Sequence, residues 1–102
     1  MYSIPQITVH ELNRRLEAGE QPLMIDVRED EEVAYGMIAG AKHLPMGDIP
    51  YRIDEIPADR EVIFICRSGS RSQRVCEFLA AQGFESVVNM QGGMIEWYEQ
   101  SE

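Results

Sequence analysis

The chain has 102 residues, 44% of them hydrophobic and 26% charged, which is the length of one domain (residues 1–102) and excludes both disorder and a second hydrophobic core. Nine Lys and Arg against eighteen Asp and Glu leave a net charge of −9, which disfavours nucleic acid and anionic membrane surfaces as partners. No apolar run approaches the ~20 residues of a membrane span. Met1-Tyr2-Ser3-Ile4-Pro5 lacks the basic and long apolar stretches of a signal peptide, so the sequence reads as cytoplasmic, with its two cysteines as thiols.

In chain order, Thr8-Val9-His10-Glu11 reads as a capping box. Val9, Leu12 and Leu16 then share a helical face, and Gly19 stops the helix. Leu23–Val27 predicts a buried strand, and the acidic stretch Glu29–Glu32 suits the positive end of a helix dipole. Ala41–Leu44 predicts a short strand closed by Pro45, and Pro50 predicts a broken helix between Met46 and Pro57. Val62–Ile65, apolar throughout, suits a strand covered on both faces. Ser72 opens a helix to about Gln82, with Val75, Phe78 and Leu79 on one face and Gly83 at its end. Ser86-Val87-Val88 is a last strand, Gly92-Gly93 a turn, and Met94–Glu99 a terminal helix. Strands alternating with helices imply an α/β domain around a mostly parallel sheet.

The informative segment is Cys66-Arg67-Ser68-Gly69-Ser70-Arg71, between a strand and a helix. A thiol at the carboxyl end of a strand sits where open α/β sheets place ligands. Gly69 and the small serines let successive backbone N–H groups turn inward as an anion nest, and the helix adds its own N–H groups and dipole. A sulfur held there is expected to ionise readily. Arg67, Arg71 and Arg74, with no acid between Cys66 and Val75, make this the one stretch of an acidic chain that attracts anions. The same pattern, taken alone, also fits a tight turn around a buried apolar cysteine.

Nearly the whole chain resembles the single-domain rhodaneses, the thiosulfate sulfurtransferases. The resemblance rests on Ile25-Asp26-Val27-Arg28-Glu29 with Glu31-Glu32, on Gly36 to Ala41, and on Leu44-Pro45. It continues in Cys66 to Ser72 and in Gly92-Gly93 with Trp97 four residues on. It implies a three-layer α/β domain whose central, mostly parallel sheet of about five strands is flanked by helices. It also implies that Cys66 takes a sulfane sulfur from thiosulfate or a persulfide donor and passes it to cyanide or a thiol acceptor. Arg67, Ser68, Gly69, Ser70, Arg71 and Ser72 would bind the substrate, with neither cofactor nor metal. The alternative is a sulfur-carrier or signalling module that hands a persulfide to a protein partner, itself a thiol-bearing acceptor. A small cysteine-dependent phosphatase or arsenate reductase is weaker, because related enzymes place five residues between cysteine and arginine, whereas only four lie between Cys66 and Arg71. Where the family pattern carries a His and a Pro after Gly36, Met37 and Ala39 stand here, so a different turn is expected and any contribution of that His is lost.

The remaining polar candidates read as structural. Cys76, inside the helix, is expected to be a buried thiol rather than a resolving partner for Cys66. Asp26 and Arg28 flank a strand end, and Arg28 is expected to pair internally with Asp26 or Glu32 and position the adjoining loop. His10 and His43 lack companion ligands at metal spacing. Trp97 reads as packing in the last helix.

Overall fold

The computed structural model describes residues 3–101. Met1 and Tyr2, which open the segment read as lacking a signal, and Glu102, the end of the 1–102 domain, lie outside the described residues. The strands are β1 (Gln6–Ile7), β2 (Leu23–Asp26), β3 (Lys42–His43), β4 (Val62–Ile65) and β5 (Val87–Met90). The helices are α1 (Val9–Glu17), α2 (Asp30–Val33), α3 (Ser70–Ala81) and α4 (Gly93–Gln100), with 3-10 turns at Met46–Tyr51 and Ile53–Glu55. All strands run parallel in the order β1-β5-β4-β2-β3.

The central strand shows why its sequence reads as unbroken apolar. Val62 and Phe64 face one layer, where they meet Val75, Cys76 and Leu79 of α3 and Ile49 of the first 3-10 turn. Ile63 and Ile65 face the other, with Val9 and Leu12 of α1 and Met94 of α4. Every residue of β4 is buried, so neither face tolerates a polar side chain. Full burial of a side chain the size of Phe64 or Leu12 contributes about 1.5–3 kcal/mol. The result is the expected α/β domain, a five-stranded parallel sheet with helices on both faces.

Local expectations hold with identifiable shifts. The capping box forms in full: Glu11 N donates to Thr8 Oγ1 at 3.1 Å and Thr8 N to Glu11 Oε1 at 2.9 Å. A second capping box joins Glu29 and Glu32 at the start of α2. The broken or short helix expected between Met46 and Pro57 forms as two 3-10 turns, Met46–Tyr51 with Pro50 inside it and Ile53–Glu55. Helix α3 begins at Ser70, two residues earlier than expected, because Gly69 takes a left-handed conformation (φ +98°) and forms the N-cap. Phe78 turns outward at 38% exposure while Val75 and Leu79 are buried. The sequence gives no hint of β1, a two-residue edge strand just after Pro5. Strand β5 starts and ends later than expected and includes Asn89.

Candidate active site

The site grows out of the end of β4. Cys66 follows the strand directly and is fully buried. Its carbonyl accepts from Met94 N at 2.9 Å, and the Arg67 carbonyl accepts from Ile95 N at 3.0 Å, so the first turn of α4 clamps the base of the loop. That clamp requires Gly93, with φ +61°: a Cβ there would collide with the Arg67 carbonyl and stand 2.6 Å from Ser68 N. The loop's own Gly69 packs against the same turn less tightly, since its Cβ would meet Gly92 N at 3.2 Å. The turn read from Gly92-Gly93 is therefore also one wall of the loop.

With its base fixed, the loop turns three donors onto the sulfur. Gly69 N lies 3.1 Å from Cys66 Sγ, Ser72 N 3.4 Å and Ser72 Oγ 3.2 Å. Burial pushes the Cys66 thiol up. The Ser72 hydroxyl and the N–H groups of Ser72, Gly69 and Ser68 outweigh that effect and hold it below the ordinary thiol value. Cysteine at the floor and inward N–H groups around it can stabilise an anion on Sγ or on an atom bonded to it. Arg67, Ser68 and Ser70 face solvent around the rim, while Gly69 and Ser72 are buried beside Cys66.

The arginines divide the work. Arg71 does not turn a free charge toward the sulfur: its Nη1 and Nη2 donate to Glu32 Oε1 and Oε2, both at 2.7 Å. Expected among the substrate-binding residues, Arg71 instead commits its charge to Glu32 and so fixes the loop. Arg67 projects into a surface groove shared with Arg28, Glu32, Tyr35, Ile95 and Tyr98. Arg28 pairs with Asp26, at 2.8 Å from Nη2 to Oδ2, and also donates to the Gly36 carbonyl at 2.7 Å. That second bond anchors the turn in which Met37 and Ala39 replace the family's His and Pro. His43 Nε2 donates to the Arg28 carbonyl at 2.7 Å, so its place is structural. Cys76 is buried and free, and burial pushes its thiol up to about 12.

Two site residues escape sequence reasoning. Glu32, read as a possible partner of Arg28, gives its carboxylate to Arg71 instead, and nothing in an acidic helix start points to that pairing. Asn89 is buried on β5, where its Oδ1 accepts from Ser72 Oγ at 2.5 Å. Its Nδ2 donates to Gln6 Oε1 at 2.9 Å and to the Gly69 carbonyl at 3.2 Å. A polar residue inside the apolar run Val87-Val88-Asn89-Met90 is the signal that could have found it.

The chain matches the family described as "Rhodanese-like domain" over residues 8–100. It is 51% identical over 94 residues to YtwF of Bacillus subtilis, covering 92% of this chain and 90% of that one. An Allochromatium vinosum protein named sulfurtransferase is 45% identical over 94 residues, covering 92% of this chain and 88% of the relative. The crystal structure of a rhodanese-like domain protein from Staphylococcus aureus superposes with a TM-score of 0.87 at 37% identity, covering 92% of this chain and 91% of that one.

Proposed function

Because the chain belongs to the rhodanese-like domain family, we propose that it is a sulfurtransferase whose nucleophile is Cys66 and whose donor is thiosulfate. The Cys66 thiolate attacks the outer sulfur of thiosulfate. The S–S bond of the donor breaks, and its electron pair leaves with sulfite. The sulfur stays on Cys66 as a persulfide. A thiolate or cyanide then attacks the outer sulfur, and Sγ departs as the thiolate, which restores the enzyme. Each half-reaction is a displacement at sulfur with a thiolate or sulfite leaving group, so ping-pong kinetics follow and no base is required once Cys66 is ionised.

The observation that carries this reading is the convergence of Gly69 N, Ser72 N and Ser72 Oγ on Cys66 Sγ. Arg67, exposed at the rim, draws in the dianionic donor. Ser68 and Ser70 border its path, and Arg71, held by Glu32, fixes the first turn of α3. Its two free cysteines are consistent with a reducing compartment, and a cytoplasmic setting belongs to this proposal. The test is the mass of the protein after incubation with thiosulfate. A gain of one sulfur atom, mapped to Cys66 and removed by cyanide with release of thiocyanate, supports the reading. Stoichiometric loading without turnover on small acceptors favours the carrier role toward a protein thiol. No gain overturns both.

A further inference from the structure

We infer that Asn89 is a positioning residue that competes with Cys66 for the single hydroxyl proton of Ser72, so that Ser72 donates to Asn89 when the sulfur is neutral and to Sγ when the sulfur is an anion. The inference deepens the proposed role of Cys66 and rests on it only for its catalytic meaning. The geometry itself poses the competition. Ser72 Oγ stands 2.5 Å from Asn89 Oδ1 and 3.2 Å from Cys66 Sγ, and a hydroxyl has one proton to give.

Asn89 cannot escape by turning its amide over. Its Nδ2 is held by two acceptors, Gln6 Oε1 and the Gly69 carbonyl, so Oδ1 must face Ser72. With Cys66 protonated, the Ser72 proton lies on the short bond to Asn89 and the thiol donates to the Ser72 lone pair. When Cys66 ionises, a donor to an anion forms the stronger bond and Ser72 turns to the sulfur. Asn89 Oδ1, only 3% exposed as a residue, then loses its partner where water does not reach. Asn89 thus raises the cost of the resting thiolate. Once sulfur is bound, the negative charge sits one S–S bond further out, about 2 Å away, and the Ser72 proton returns to Asn89. The penalty falls on the thiolate and is relieved in the persulfide, which favours loading.

Other charged and titratable groups surround Cys66 from the neighbouring elements. Arg71 and Cys76 act on it from α3, with Arg71 bound to Glu32 of α2. Arg67 lies on the loop itself, the Asp26–Arg28 pair closes β2, and Glu96 of α4 lies over Gly92. Strand β5 contributes no charged residue. Replacing Asn89 leaves all of these in place. Asn89→Leu also leaves no buried acceptor orphaned, because the Gly69 carbonyl still accepts from Gln73 N at 3.2 Å and Gln6 is exposed.

The experiment follows the Cβ chemical shift of Cys66 across pH in the wild type, Asn89→Leu, Ser72→Ala and the double variant. It needs no sulfur substrate, so its outcome is independent of the proposed activity. Asn89→Leu is expected to lower the Cys66 inflection by about one pH unit, a tenfold gain in thiolate. Ser72→Ala is expected to raise it, and the double variant to match Ser72→Ala, since without the hydroxyl there is nothing to compete for. In the wild type the Asn89 side-chain amide resonances are expected to move at the same inflection as Cys66, a readout that survives even if Asn89→Leu does not fold. An unchanged or raised inflection in folded Asn89→Leu overturns the inference, as do Asn89 resonances that stay fixed while Cys66 titrates.

Discussion

The Arg71 guanidinium lies fork to fork on the Glu32 carboxylate, with both N···O distances at 2.7 Å. The pair ties the first turn of α3, which carries two of the sulfur's donors on Ser72, to the short helix after β2. The hydrogen bonds from Arg71 hold the Glu32 carboxyl down at about 2, from an ordinary 4.5. A depressed folded value means that the pair stabilises the protein above 4.5 and that the contribution is lost as pH falls toward 2. Thermal melts of wild type and Glu32→Gln are expected to differ by about 1 kcal/mol at neutral pH, a modest figure because both side chains are partly exposed. The difference should close steadily through the acid range. Parallel curves down to the lowest pH would mean that the fork contributes nothing to stability.

Cys66→Ser is expected to lose sulfur transfer by a factor of roughly 10³ or more while keeping the fold. The serine hydroxyl fits the same donors but is not ionised at neutral pH. Cys76→Ser is expected to keep most of the activity, because burial holds that thiol near 12 and leaves it neutral. Thiocyanate production at near wild-type rate by Cys66→Ser would remove Cys66 from the mechanism.

Much of this site is legible in the sequence because its key features are local. A strand, a cysteine, a small-residue loop and a helix start lie within one short stretch, and backbone N–H direction follows from that succession. Apolar runs likewise reveal β2, β4 and the core of β5. What stays hidden depends on pairing between distant residues. Glu32 and Arg71 are 39 residues apart in sequence, and Asn89 and Gln6 are 83 apart. Strand β1 has only two residues, too few to show a period, and gains its place by pairing with β5. Helix α3 starts early because Gly69 adopts a conformation that a sequence permits but does not demand.

The two glycines of the α4 turn are expected to respond differently to alanine. At Gly93 the new methyl meets Arg67 and Ser68 backbone, which cannot move without opening the loop. At Gly92 it meets only the end of the flexible Glu96 side chain. Both positions have positive φ, so both substitutions are strained, by about 1–3 kcal/mol. Gly93→Ala is expected to lose several kcal/mol in denaturant unfolding, together with sulfur transfer, and Gly92→Ala closer to the strain alone. Equal losses at the two positions would show that the close approach to Arg67 carries no energetic weight.

Loop length is expected to set the choice between sulfur and phosphate. From Cys66 to Arg71 the loop runs through four intervening residues, and its N–H groups converge on the sulfur itself, with Gly69 N only 3.1 Å from Sγ. A ring that tight suits one further sulfur atom at disulfide bond length, about 2 Å. A tetrahedral phosphate needs donors farther from Sγ and more widely spread. Charge cannot make the distinction, because thiosulfate and phosphate are both anions and both are drawn to Arg67. Shape must therefore carry it, at about 1–3 kcal/mol for each oxygen left without a donor. Inserting one alanine between Ser68 and Gly69 would widen the ring while the Met94 and Ile95 amides still hold Cys66 and Arg67. The inserted protein is expected to transfer sulfur more slowly and to bind phosphate or arsenate more tightly than the wild type. The wild type, given thiosulfate and an aryl phosphate side by side, is expected to form persulfide and leave the ester intact. Efficient ester hydrolysis with no persulfide would overturn both the loop-length argument and the proposed activity.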